Sequence, residues 1–366
     1  MRAVEALKQA NGNKSEAARL MGLHRTSFKA RLETEQRQSA KRATFGQLPD
    51  VSPNVAEIIA RRCREFERHK ARVEAERWLP ITVNETQPFG LMVFGDEHAD
   101  DNHCDWPQLK RDLALSRETP GVYAAALGDQ TNNWVGRLVR EYADQSVTRS
   151  EARELSRWLL TPDAAPWLFR LLGNHDFWNE GDVLIGLFGG DAYYIAEWEA
   201  RIELRAGALH YKIHAGHNFK GTSIYNPTHG PLRASLFSGG HADLYLAAHL
   251  HEFGTQAVEI AETKKLVHVA RARGYKRGGR YEKMGGFPSG EVGSSLFVMI
   301  DPLADNEAGL TTIFNDPVQG ARVLTALRKT SAPKRKGPKY AGKADTRDRT
   351  VRAGGRGKVN RRKASR

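Results

Sequence analysis

The sequence predicts an α/β protein with a small all-α unit at its N-terminus and a basic tail at its C-terminus. Three observations carry this. Five short apolar runs each end in Asp, Asn or His, the pattern of buried strands whose ends meet at one edge of a sheet. The first thirty-odd residues read as three short helices. The charge is uneven as well. The net is +13 over 366 residues, yet Arg328 to Arg366 alone holds sixteen Lys or Arg against two Asp. The chain before Arg328 is therefore close to neutral.

A chain of this length buries a substantial core and holds more than one domain. No apolar stretch reaches membrane-spanning length, and the N-terminus does not read as a signal peptide. Cys63 and Cys104 lie far apart, in no metal or redox spacing. That usage fits a reducing, cytoplasmic setting.

The first helix, near residues 2–10, is expected to bury Val4, Leu7 and Ala3. Asn11-Gly12-Asn13 stops it, because Gly and Asn tolerate left-handed backbone. Asn13 or Ser15 caps the second helix, whose narrow apolar face is Ala17, Ala18 and Leu20. Gly22 permits a tight turn, and Leu23 and Phe28 fill the angle between helices. The segment "NKSEAARLMGLHRTSFKARL" resembles the helix-turn-helix of the Fis type over residues 1–33. The resemblance implies that the third helix enters the major groove of DNA, with Arg25, Thr26, Ser27 and Lys29 facing bases and Arg31 reaching a phosphate.

Residues 34–51 are polar and read as a linker. A helix follows within 52–80, where Ile59, Cys63, Phe66 and Val73 fall near a heptad stripe that Lys70 interrupts. Packing against the next domain is the favoured use of that stripe. A short dimerising coil is the alternative, since two half-sites on DNA need two helix-turn-helix units.

The five runs are Leu91–Phe94 before Asp96 and His98, Val122–Leu127 before Asp129, Trp167–Leu172 before Asn174, His175 and Asp176, Leu209–Ile213 before His214 and His217, and Leu244–Ala248 before His249 and His251. Asp96 and His98 stand two apart, as do His249 and His251, which in an extended strand puts both side chains on one face. Carboxylates, neutral imidazoles and an amide oxygen suit divalent metals such as Mn, Fe or Zn, and there are donors enough for two ions. Singly, Gly-Asp and Gly-Asn are ordinary turns and a lone His is an ordinary core residue.

Taken in order, Asp-x-His, Gly-Asp, Gly-Asn-His-Asp, a lone His and His-x-His resemble the calcineurin-like metallophosphoesterase family over residues 88–302. The resemblance implies a four-layer α/β/β/α sandwich of two mixed sheets, here within 81–327. It implies two divalent ions, Mn favoured, with Asp96, His98 and His251 on one, Asn174, His217 and His249 on the other, and Asp129 bridging. A metal-activated hydroxide would attack phosphorus. His175 would stand beside the substrate phosphate rather than on a metal, and Asp176 would orient its imidazole and keep it protonated. The family's Gly before His-x-His is Ala248 here. His217 is preferred over His214 because "GHNFKGTSIYNPTHG" resembles phage-type members.

A stretch at 270–290 interleaves Arg271, Arg273, Lys276, Arg277, Arg280 and Lys283 with Tyr275, Tyr281 and Phe287, a composition that could grip a nucleic-acid backbone or be a solvated loop. "SSLFVMI" at 294–300 reads as a last core strand. The tail, 328–366, has almost no large apolar residue and is expected to be disordered, an electrostatic handle for phosphate backbones. The expected whole is a phosphodiesterase or nuclease acting on DNA in a phage or prophage setting. The alternatives are a phosphomonoesterase merely localised on DNA, or a DNA-binding regulatory or packaging protein with an inactive site.

Overall fold

The computed structural model describes residues 1–40, 54–75, 78–179, 192–237, 242–261, 263–279 and 295–330. The expected linker from residue 41 onward, the basic tail beyond Thr330, and Arg280, Tyr281, Lys283 and Phe287 lie outside the described residues. The chain divides into two compact units, Met1–His69 and Lys70–Arg366.

In the first unit, α1 (Ala3–Gln9), α2 (Lys14–Leu20) and α3 (Arg25–Ala40) close on a small core. Its centre is alanine: Ala3, Ala6, Ala10, Ala17 and Ala18 pack against Phe28 and Leu32, with Leu7, Met21 and Leu23 partly buried. Small side chains let the three helices approach closely. Val4 and Leu20, expected inside, are about half exposed, at 47% and 51%. Ala6 faces inward instead, one helical turn after Ala3. Asn13 is the cap of α2: its side chain accepts the amides of Ser15 (3.0 Å) and Glu16 (3.3 Å). The third helix runs well past residue 33. There Glu35 accepts the amide of Val4 (3.2 Å) and pairs with Arg31 (3.5 Å), which fastens α3 to the start of α1. Asn13→Ala should cost this unit about 1 kcal/mol. The check is the thermal unfolding of the N-terminal helices, and DNA affinity should fall with it.

One long helix, α4 (Val55–Ala75), follows. Among the described residues of its stripe, Ile59, Cys63 and Phe66 are exposed.

The second unit holds two six-stranded sheets. One has the order β12-β11-β2-β3-β4-β5, with β2 (Phe89–Phe94), β3 (Val122–Ala126), β4 (Trp167–Leu172), β5 (Tyr194–Glu197), β11 (Leu296–Ile300) and β12 (Thr311–Phe314). Strands β2 to β5 run parallel, and β11 and β12 add antiparallel pairings at one side. The other has the order β1-β6-β7-β8-β10-β9, with β1 (Leu79–Thr82), β6 (Glu199–Ala206), β7 (Leu209–Gly216), β8 (Leu244–Ala247), β9 (Gly254–Ile260) and β10 (Lys265–Arg271). Here β7, β8 and β10 are parallel neighbours. Both sheets are therefore mixed, as expected, and "SSLFVMI" is followed by one further strand.

The sheets face each other across the main core, where Leu91, Val93, Phe169, Leu171 and Val298 meet Ile202, Leu204, Tyr211, Ile213, Leu244 and Leu246. The outer face of the first sheet is covered by α5 (Trp106–Glu118) and α9 (Pro317–Thr330), through Leu109, Leu113, Ala321 and Leu324. The outer face of the second is covered by α7 (His229–Phe237), through Ala234 against Tyr245 and Ala247. The result is the four-layer α/β/β/α sandwich. A helix, α6 (Arg149–Leu159), precedes β4, and a short one, α8 (Glu307–Leu310), precedes β12. Covering both faces explains why β2 and β8 read as continuous apolar runs; in β4 the run is broken by Arg170, buried against Glu97 (3.0 Å).

Candidate metal centre

The parallel strands β2, β3 and β4 of one sheet and β7 and β8 of the other deliver their carboxyl ends to one place. Three groups of donors converge there: Asp96, His98 and His251; His98, Asp129 and His175; and Asp129, His217 and His249. Within each group the donor atoms lie within 4.8 Å of one another.

The pairs two apart are not presented by extended backbone. The strands stop at Phe94 and Ala247, and Asp96, His98, His249 and His251 all take left-handed φ, at 49°, 42°, 70° and 53°. Asp129 does so too, at 59°. Non-glycine residues pay roughly 1–2 kcal/mol each for that geometry. Cross-links between loops hold it. The amide of Asp96 donates to Gly128 O (3.0 Å) and that of His98 to Asp129 O (3.1 Å). The amide of His249 donates to Asp96 Oδ2 (2.8 Å), and that of His175 to Asp129 Oδ1 (2.9 Å).

His217 shows the arrangement most clearly. Its Nδ1 donates to Leu127 O (2.7 Å), which leaves Nε2 for the site. Nε2 then lies 3.0 Å from His249 Nδ1, 3.1 Å from Asn174 Oδ1 and 3.3 Å from Asp129 Oδ2. One ring nitrogen cannot serve three acceptors, whereas a cation among them satisfies all four. Asp96 Oδ1 and His98 Nδ1 are buried without a hydrogen-bond partner, as ligand atoms would be. The residues therefore fit a divalent ion at either end of Asp129. His214 belongs to no donor group; it lies buried on β7 against Phe219 and Tyr245.

The charges behave accordingly. Burial lifts the Asp96 carboxyl to about 8. Burial works to lower the His217 imidazole, but the hydrogen bond and charge of Asp129 outweigh it and hold it at about 9. Asp129, which burial would raise, is held below the ordinary carboxylate range by His217. Burial drives His249 and His251 down to about 4. The pH dependence follows from these signs. A carboxyl raised from 3.8 to about 8, as in Asp96, stabilises the fold fully below 3.8 and loses that contribution as pH rises to about 8. His217, raised from 6.5 to about 9, loses its contribution over that higher range. The metal-free protein should therefore melt at progressively lower temperature from about pH 6.5 to 9. Added Mn²⁺ should abolish the trend by holding the ionised donors. Melting curves with EDTA and with Mn²⁺ test this, and a flat EDTA series would reject it.

Asp176 departs from expectation. Its carboxylate does not reach His175. It accepts the amides of Asp129 (2.7 Å), Gly173 (2.8 Å) and Gln130 (3.1 Å), so it ties the β3 and β4 loops together. Both of its oxygens are turned to backbone amides instead of to the imidazole. The Nδ1 of His175 is instead bound by the carbonyl of Asn132, and its Nε2 lies 4.0 Å from Asp129 Oδ2. Burial lowers its pKa, so the ring is neutral near pH 7 rather than kept protonated.

Several residues that shape the site were not singled out in the sequence. Trp178 stacks obliquely on His175 with ring centres 4.1 Å apart, and Trp134 meets its edge at 5.3 Å. Trp198, 38% exposed, lies edge-on to His217 at 5.1 Å. It is the single residue between β5 and β6, where the chain passes from one sheet to the other, and its φ is 61°. Arg271, expected in a nucleic-acid grip, is fully buried: it donates to the carbonyls of Pro227 (2.7 Å) and Ala248 and braces the turn carrying His249. Tyr275 and Lys276 are interior too, bound to Asp112 (2.9 Å) and Asp101 (2.9 Å). The five residues expected on DNA, Arg25, Thr26, Ser27, Lys29 and Arg31, are all exposed on α3.

Fold and donor set define a class: a two-sheet α/β sandwich with clusters of candidate metal ligands at its strand ends. Residues 4–34 match the family described as bacterial regulatory protein, Fis family. No curated protein matches the chain. Among solved structures the chain is similar to calcineurin-like phosphoesterase YfkN from Bacillus subtilis, at 11% identity and TM-score 0.35, over 67% of this chain and 100% of that one. It is similar to a metallophosphoesterase from Sphaerobacter thermophilus, at 11% identity and TM-score 0.33, over 67% and 95%. It is also similar to Chaetomium thermophilum Vps29, at 15% identity and TM-score 0.30, over 62% and 91%. Among the described residues no helix is long and apolar enough to cross a membrane.

Proposed function

We propose that the protein is a dimetal phosphoesterase that hydrolyses phosphodiester bonds in DNA, bringing itself to its substrate through the Fis-type helices. The observation that carries this is the convergence of oxygen and imidazole donors from five strand ends on both sides of one carboxylate, Asp129. Asp96, His98 and His251 would hold one ion and Asn174, His217 and His249 the other, with Asp129 shared. Bound there, Mn²⁺ or a similar ion supplies a nucleophile at neutral pH and neutralises charge on the phosphoryl oxygens. The mixed oxygen and nitrogen donors suit Mn, with Fe or Zn as alternatives.

The chain's own residues do the rest. The carbonyl of Asn132 fixes the His175 ring by Nδ1 and turns Nε2 toward Asp129 and the reacting phosphate. Trp178 and Trp134 shield that ring from water. A neutral imidazole at that place would accept at Nε2 the proton released by the attacking water and pass it to the leaving oxygen. Trp198 offers an exposed aromatic face beside the second donor group, on which a base adjoining the scissile phosphate can stack.

The test is a hydrolysis panel with Mn²⁺: single- and double-stranded DNA, an aryl phosphodiester and an aryl phosphomonoester, with Asp129→Ala as control. Cleavage of DNA and diester, lost in the variant, is the expected result. Turnover of the monoester alone would make the protein a phosphatase localised on DNA. Silence on all four substrates with DNA still bound would leave a DNA-binding protein with a relic centre.

A further inference from the structure

The helix α4 ends its service to the fold with an apolar stripe on its surface. Val55 is 71% exposed, Ile59 57% and Phe66 63%. Such a stripe on a 21-residue helix is unfavourable in water and asks for a cover. Its spacing says what shape the cover has. Ile59, Cys63, Phe66, Lys70 and Val73 follow one another at steps of four, three, four and three, the a/d repeat of a coiled coil, with Ala56 one step earlier.

The charges beside the stripe say which partner. With Ala56, Cys63 and Lys70 at a and Ile59, Phe66 and Val73 at d, Arg62 and His69 fall at g, and Glu67 and Glu74 at e. In a parallel, in-register pair of identical helices each g residue faces the e residue five positions on in the other chain. Arg62 then meets Glu67 of the second copy, twice over by symmetry. An antiparallel pair would set Arg62 and His69 against each other's g row and lose this match. Arg62 now contacts Glu65 of its own helix at 2.8 Å, a solvent-exposed pair that holds the side chain only weakly. A lone Lys at a, such as Lys70, is a register device rather than a contributor to strength.

We propose that α4 is a parallel two-stranded coiled coil with a second copy of this chain, which sets two Fis-type units side by side for two DNA half-sites. The pairing does not depend on the phosphoesterase reading.

Cys63 gives a direct test, because an a-position residue faces its own copy across the seam. It is exposed, and the other cysteine, Cys104, is buried. Mild oxidation of the whole protein should yield a disulfide-linked pair, lost in Cys63→Ser and kept in Cys104→Ser. Under reducing conditions light scattering should report twice the 40.9 kDa chain mass across a dilution series. Phe66→Asp should weaken dimerisation at least about 100-fold, the loss of a central d anchor. Arg62→Glu and Glu67→Arg should each weaken it, and the double exchange should restore it; phosphoesterase turnover on a small diester should stay unchanged throughout. A monomer at every concentration overturns the proposal. So does a dimer indifferent to Phe66→Asp, and failure of the double exchange to restore pairing rejects the parallel register.

Discussion

Replacing Asp129 by alanine is expected to abolish Mn²⁺-dependent diester hydrolysis, by at least about 10³-fold, since losing a single stabilising donor already costs about 10²–10³. Asp129, like His98, belongs to two of the donor groups, and it is the one that reaches the group of His217 and His249, so its loss opens both of its own. It also accepts the amide of His175 at 2.9 Å, so the proton-carrying ring would lose part of its support. The fold should survive, because Asp176 still ties the β3 and β4 loops through three backbone amides. Metal titration followed calorimetrically should show the stoichiometry fall together with turnover. Normal turnover in this variant would remove the basis for the whole reading of the site.

Gly128→Ala should be strongly destabilising. Gly128 has φ +102°, a region closed to side chains, and a Cβ there would lie 2.5 Å from the backbone nitrogen of Gly173 and 2.8 Å from His217 Nδ1. Neither neighbour can yield. The first is main chain between β4 and Asn174, and the second is bound to Leu127 O. Strain and overpacking together should cost roughly 3 kcal/mol or more, read as a fall in melting temperature, and metal affinity should drop with it. A variant within about 0.5 kcal/mol of the parent would show that the β3 and β4 loops are not packed as described.

Much of this was legible in the residues. The cores of β2, β3, β4, β7 and β8 show as apolar runs because both faces of each sheet are covered, and their polar ends show as breaks. Strand β9 was invisible: "GTQAVEI" is largely exposed and lies at a sheet edge, so burial left no pattern in it. Four-residue strands such as β5 and β12 are too short to show a period. Arg271 misled because a guanidinium looks the same in sequence whether it meets solvent or two buried carbonyls. Asp176 misled for a related reason. Adjacency to His175 suggested a side-chain partner, while the backbone amides of two loops were the stronger claimants. His217, which stands past the strand end and donates to Leu127 O, turns Nε2 to Asn174 and His249, a placement that its spacing from His214 in sequence does not reveal. The α4 stripe was seen, but whether it was covered was not.

The left-handed backbone at Asp96, His98, Asp129, His249 and His251 has a bearing on the protein's descent. Glycine would rest there more comfortably than any of the five. On the proposed reading, these side chains stand there for their chemistry and against the preference of the chain. A descendant released from that chemistry would be free to drift to glycine at those positions, where a working one could not. Those five places alone would tell a living copy from a lapsed one.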